Sequence, residues 1–368
     1  MHRKTKLLDI AKALGVSTGT VHRALHNHRG VNALTKARVQ QMAEKLDYRP
    51  NLAARYLSSQ RNLRISVNTL QGTTSFWDEV REGVSEEARA LAMDNVEIEF
   101  RTYPRLGEGE EEAFDTALKA GADGIIAFPS HPHGLHSWMR LASSSSIPVV
   151  CVATDAPDTG RLAVVSVDTQ ASGSLAADLM GSWLRGTGKV AVTMSAFSIS
   201  EHAEKYKAFE STLHMLYPEI LLEQTIEDHD VESEAYEKCR TLFRKHPDLR
   251  GIYVTTEASI PVLNAAQDAH MLDRMIVITT DLFPALVPEI RSGAVAATIY
   301  QRPRTQGRVA FRVLHEFLME GKCPSRQVTL APHLVMRGNL DFFLQRQSLE
   351  SRSASQRATS PELAEVLG

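Results

Sequence analysis

The side chains best suited to hold a small polar molecule fall just past the ends of apolar runs: Phe76 and Trp77, Ser130 with His131, Asp168, Thr256 and Glu257, Asp281, and Gln301. Carboxylates and amides share hydrogen bonds with hydroxyl groups, and aromatic faces cover the C–H side of a sugar ring, so this set fits a neutral polyhydroxyl ligand. Any one of these acids equally suits a helix cap, Asp168 above all, and Phe76 and Trp77 equally suit a core; their joint placement favours a site. Near the N-terminus the chemistry differs. Thr18, Gly19, His22, Arg23 and His26 form the polar outer side of a short amphipathic segment. No nucleotide-binding glycine loop is present and no spacing fixes a nucleophile beside its base, so the chain is not expected to be an enzyme or to need a cofactor. His131, His133 and His136 lack a nearby fourth ligand and are not taken as a metal site.

Leu7, Ile10, Ala11 and Leu14 follow the i, i+3, i+4, i+7 spacing of one helix face, and Gly15 stops that helix. Ser17 can cap a second helix with Val21, Ala24 and Leu25 inward, and Asn32 a third with Val39, Met42, Ala43 and Leu46 inward. The short glycine-bearing turn between the first two suits a helix-turn-helix, whose second helix is buried on one side and free to enter a major groove on the other. Any small helical bundle shares the pattern. Pro50 suits a helix start, and Asn51 to Leu57 allow a two-turn helix too short to be stable alone.

From residue 62 the pattern changes to apolar strands alternating with longer amphipathic stretches, which predicts parallel βα units. Nine strand-like runs are expected, over 63–69, 96–103, 124–129, 147–154, 162–168, 189–195, 251–256, 275–281 and 295–301. About 280 residues of this kind exceed one comfortable sheet, so two similar lobes are expected with their boundary near Val164 to Asp168 and later crossovers near 295–330. In open α/β sheets ligands gather at the C-terminal ends of strands, where the polar set above lies. The organisation is thus a head over 1–49, a linker over 50–61, a two-lobed body over 62–344 and a disordered tail over 345–368, rich in Ser, Arg and Gln.

Composition agrees. The 368 residues are 43% hydrophobic and 23% charged, ordinary globular values that exclude a disordered chain or a collagen-like repeat. Cys151, Cys239 and Cys323 are too few and too far apart for a disulfide framework, and no apolar run is long enough to span a bilayer. The start of the chain lacks the apolar core of a secretion signal, so a cytoplasmic location is expected. Net charge is −3, yet residues 1–64 carry thirteen Lys and Arg against three acids, leaving −13 on the rest. A basic head on an acidic body suits a polyanion-binding module joined to a separate domain.

Taken together, LLDIAKALGVSTGTVHRALH, VNALTKARVQQMAEKLDYRPN and NLAARYLSS resemble the head and hinge of the lactose/galactose repressor (LacI/GalR) family, in register over about the first 60 residues. The body resembles the periplasmic binding protein-like type I sensor, two doubly wound parallel-sheet lobes, which that family places behind its all-α helix-turn-helix. The resemblance implies a DNA-facing set of Ser17, Thr18, Gly19, Thr20, His22 and Arg23, joined by the hinge residues Asn51, Ala54 and Leu57, with Leu57 pushed into a minor-groove step. Gly19 departs from the family, having no side chain to read a base. The resemblance also implies Phe76, Trp77, Asp168, Lys205, Asp281 and Gln301 as ligand-binding positions, to which the strand-end reading adds Ser130, Thr256 and Glu257. Here too there is a departure: Lys205-Tyr206-Lys207-Ala208-Phe209 stands where sugar binders show Arg-x-x-Gly-Phe, which loses the bidentate arginine and leaves a polyol, an acidic sugar or a phosphorylated sugar open. The implied function is a ligand-responsive repressor, a homodimer on a pseudo-palindromic double-stranded operator, without a membrane partner. The rival reading is a sugar-binding or transport protein with no DNA role.

Overall fold

The computed structural model describes residues 7–25, 31–46, 62–71, 75–91 and 96–345. The chain divides into two compact units, Met1–Arg61 with His315–Cys323, and Asn62–Leu314 with Pro324–Gly368. The hinge positions Asn51, Ala54 and Leu57, and the tail beyond 345, lie outside the described residues.

In the first unit, α1 (Leu7–Leu14), α2 (Thr18–Leu25) and α3 (Ala33–Lys45) close around Ile10, Ala11, Val21, Ala24, Val39 and Ala43. Gly15 adopts φ +64°, a conformation that costs glycine nothing, and lets the Val16 amide bond back to the Ala11 carbonyl at 3.0 Å, closing α1. The Ser17 hydroxyl accepts from the Thr20 amide at 3.1 Å, and Asn32 accepts from Thr35 at 2.7 Å, so both caps form.

The second unit holds two six-stranded sheets. The first runs β11-β5-β4-β3-β1-β2, built from β1 (Leu63–Leu70), β2 (Val96–Tyr103), β3 (Gly124–Ala127), β4 (Val149–Val152), β5 (Ala163–Val167) and β11 (Gln327–Leu330), all parallel. The other runs β12-β10-β9-β8-β6-β7, from β6 (Thr187–Met194), β7 (Glu219–Glu227), β8 (Leu249–Val254), β9 (Ile276–Thr280), β10 (Ala297–Tyr300) and β12 (His333–Val335); it is parallel except for β12 against β10. The interior strands β3, β4 and β10 are buried throughout, because helices cover both faces, and their sequences are accordingly mostly apolar. The nine apolar runs form β1–β6 and β8–β10; the sequence pattern does not announce β7, β11 and β12. The chain crosses between sheets after β5, after β10, and between β11 and β12.

The first lobe carries α4 (Ser75–Ala90), α5 (Glu110–Lys119) and α6 (Pro132–Ser144), and the second α7 (Thr169–Trp183), α8 (Ser200–Leu216), α9 (Glu232–Lys245), α10 (Ser259–Asp268) and α11 (Val287–Ser292); α12 (Pro303–Glu320) follows the second crossover. Glycine permits two close helix approaches. A Cβ on Gly83 would lie 2.0 Å from the Arg304 carbonyl and one on Gly307 2.1 Å from that of Val80, so α4 and α12 meet backbone to backbone. A Cβ on Gly173 would lie 2.2 Å from the Lys205 carbonyl, which seats α8 against α7. No helix among the described residues is long and apolar enough to cross a membrane.

Candidate functional site

On the head, Ser17, Thr18, Gly19 and Arg23 are exposed and Thr20 is half-buried, while Val21 and Ala24 on the same helix are buried. His22 lies between them on α2. The polar side of α2 is therefore open to a groove, as major-groove reading requires.

In the body, several non-glycine residues just past strand ends take positive φ: Ala153 (67°) after β4, His229 (56°) and Asp230 (55°) after β7, Asp281 (66°) after β9 and Arg302 (59°) after β10. Such conformations cost about 1–3 kcal/mol each and gather where a site is being shaped. The turn at Asp281 places its carboxylate on Gln301: one oxygen accepts the Gln301 amide at 2.9 Å, the other its side-chain Nε2 at 2.6 Å. The Gln301 Oε1 accepts from Lys205 Nζ at 2.7 Å, and Lys205 also reaches the Thr255 carbonyl at 3.4 Å. Lys205 is fully buried and ion-paired to Glu201, one helical turn earlier, whose other oxygen meets His202 Nε2 at 3.0 Å. Burial alone would raise the Glu201 carboxyl, but Lys205 and His202 outweigh it and hold it at about 2. Burial pushes Asp281 up to about 6 against the pull of Gln301 and Lys205.

Two further carboxylates join the lobes. Ser75 Oγ, at the start of α4, donates to Glu257 Oε1 at 2.9 Å, and Tyr300 donates to Glu79 Oε2 at 3.0 Å. Burial, with repulsion from Asp281, pushes Glu257 to about 8; burial pushes Glu79 to about 7. A third link joins Thr154 Oγ1 and Ser200 Oγ at 2.8 Å. Phe76 and Trp77 lie in the first turn of α4, mostly buried, edge to face at 4.7 Å, with Trp77 tilted on Phe128 at 4.3 Å.

The structure thus joins Lys205, Asp281 and Gln301 in one network, with Glu257 electrostatically coupled to it through Asp281. Others of the nine are engaged separately. The Ser130 amide and hydroxyl both donate to Glu110 at 2.7 and 2.9 Å, tying β3 to α5. Asp168 caps α7 through the Ala171 amide at 2.8 Å, and Thr256 Oγ1 accepts from Ala258 at 3.2 Å within its own turn. Asp168 also lines a cavity of about 310 Å³, with Thr154, Asp155, Ser200, Glu201 and Glu204. Glu201, His202 and Glu79 take part in these contacts, and Asp228 lies within electrostatic reach of His202, without having been singled out; only Glu201, four positions before Lys205, has a local signal.

The family model of bacterial regulatory proteins, lacI family, matches residues 6–51, and that of the periplasmic binding protein domain matches residues 65–322. Catabolite control protein A of Staphylococcus aureus is 25% identical over 346 residues, covering 90% of this chain and 98% of that protein. The protein of the same name from Staphylococcus xylosus is 23% identical over 337 residues, with the same coverage. GanP, a glucose-galactose binding protein from Geobacillus stearothermophilus, matches with a TM-score of 0.71 at 23% identity, covering 76% of this chain and 99% of that one. The fructose binding periplasmic domain of a hybrid two component system matches at 0.75 and 18% identity, covering 81% and 98%. A capped helix-turn-helix with an open polar side, followed by two parallel lobes joined by three crossovers, belongs to the lacI family of bacterial regulatory proteins: the chain is a DNA-binding transcriptional regulator whose sensor is a periplasmic binding protein domain.

Proposed function

We propose that the chain is a repressor that works as a homodimer in the cytoplasm, each head taking half of a two-fold operator, with a small carbohydrate-like effector setting the angle between the lobes. The observation that carries this reading is the Lys205–Gln301–Asp281 network at the strand ends of the second lobe, close to the Ser75–Glu257 bond that reaches the first. A ligand that exchanges hydrogen bonds with that network changes the balance between open and closed lobes, and so the affinity of a distant head, by about 1–3 kcal/mol. Solved relatives of the same fold are named for glucose, galactose and fructose, which supports a carbohydrate class. Lys205, already neutralised by Glu201, is a poor anchor for a second anion, so acidic and phosphorylated sugars are disfavoured.

Fluorescence anisotropy with duplex operator fragments tests this. Affinity should fall steeply with salt, because a phosphate-contacting head releases counterions, and should change when the effector is added. Asp281→Asn, chosen because asparagine tolerates positive φ, should abolish the effector response while leaving unliganded DNA affinity intact. An unaltered response in that variant would place the effector elsewhere, and salt-independent binding would remove the DNA role.

A further inference from the structure

We propose that the effector carries a protonated amine, received by Asp228 beside His202 and Asp230, which narrows the carbohydrate reading above to amino sugars and amino polyols. The inference rests on that reading and on the charge balance of the second lobe. Past its strand ends stand Asp228, Asp230, Asp281 and Glu257, with Glu201 in the first turn of α8 and Glu79 approaching from α4. The lysine among them, Lys205, is bound by Glu201, and His202 meets the other oxygen of the same carboxylate. Arg304 acts on Glu79 but is bonded to Glu82 and Glu86 at 2.5 and 2.7 Å, and His229 pairs with Glu234 at 3.0 Å. Carboxyl groups therefore outnumber cations in a place where water is scarce, so several are held protonated, and an anionic ligand would add charge of the same sign as these groups carry when they ionise.

Asp228 has an open valence there. It is fully buried; its Oδ1 accepts the Asp230 amide at 3.0 Å, whereas Oδ2 has no donor. A buried carboxylate oxygen without a donor is costly to keep, and an ammonium or a proton is what relieves it. Burial, then repulsion from Asp230, pushes Asp228 up to about 7, with His202 and His229 pulling the other way. Room for the rest of the molecule is a cavity of about 310 Å³ that reaches this group of residues at Glu201 and has the size range of a small-ligand site; Asp155, Asp168 and Glu204 also line it, Asp155 being paired with Arg161. An ammonium supplies the missing donor and the missing charge at once, which a hydroxyl does not.

The test uses the full-length protein and matched probes: D-glucosamine, D-glucose and D-gluconate; D-galactosamine and D-galactose; D-glucamine and D-sorbitol. Binding is followed by thermal shift and by calorimetry in two buffers of different ionisation enthalpy. At least one amine should bind about tenfold or more tightly than its neutral partner, with protons released as the carboxylates ionise. Asp228→Asn, which keeps the shape and removes the charge, should erase that preference, and Asp230→Asn should reduce it. A neutral or acidic partner binding as tightly as the amine overturns the amine while leaving a carbohydrate effector standing. Survival of the preference in Asp228→Asn overturns the assigned carboxylate. Silence from every probe overturns both readings.

Discussion

Gly19 is exposed on α2, and a Cβ built there would meet only the Ser17 hydroxyl, at 3.8 Å, so packing within the head does not demand glycine. In a helix interior glycine costs about 1 kcal/mol relative to alanine. Gly19 is the second residue of α2, so Gly19→Ala should stabilise the head by at most about that amount, seen as a later thermal transition followed by circular dichroism; an earlier transition would show that the position is not helical in solution. Residues of the candidate site differ in how far they can be read from sequence. Asp281 and Gln301 are legible because they end strongly apolar runs, and Lys205 because of its place before Phe209. Ser130 has the same chemistry but is bonded by Glu110, a residue 20 positions away that no local pattern connects to it. Asp168 goes the other way: its local promise as a helix cap is what the structure shows. Asp228 stays hidden because the strand that delivers it is not recognisable.

That strand marks the limit at the scale of elements. β7 is an edge strand, with Glu219, Leu221 and Gln224 facing solvent and Ile220 and Ile226 buried, so it has neither the continuous apolar run of an interior strand nor a clean alternation. β11 and β12 are four and three residues long, and pairing rather than composition makes them strands. The interior strands are readable for the opposite reason: burial on both faces makes them mostly apolar, with small polar residues such as Thr279 and Thr298 as the exceptions. Helix packing depends on positions that composition does not flag. Gly307 and Gly83 let α4, which carries Phe76, Trp77 and Glu79, lie against α12. Gly307→Val would drive a side chain into the Val80 carbonyl, 2.1 Å from its Cβ, and should cost about 1–3 kcal/mol in urea unfolding. Gly338→Val, at a site with nothing within 4 Å, is the control and should cost far less. Equal losses would mean that the α4–α12 approach contributes nothing.

For the sensor as a whole, two of the hydrogen bonds between lobes end on carboxyls whose protonation is displaced upward by burial: Glu257, at about 8, receives Ser75, and Glu79, at about 7, receives Tyr300. Asp281 faces Glu257 and raises it further, and Arg304 pulls Glu79 down. A carboxyl held above its unfolded value binds more protons folded than unfolded, so the stability it supports is present at low pH. That stability is lost as pH rises from the unfolded value of about 4.5 toward 7 and 8, where both groups ionise against one another and against Asp281. The closed arrangement should accordingly loosen across that window, so the radius of gyration from small-angle scattering should grow and the melting temperature fall as pH climbs through neutrality. Glu257→Gln keeps an acceptor for Ser75 but cannot ionise; it should flatten both trends and leave the variant more stable than the parent above pH 8. Trends of the same steepness in the variant would show that Glu257 does not hold the lobes, and that the Thr154–Ser200 bond and the three crossovers carry closure without it.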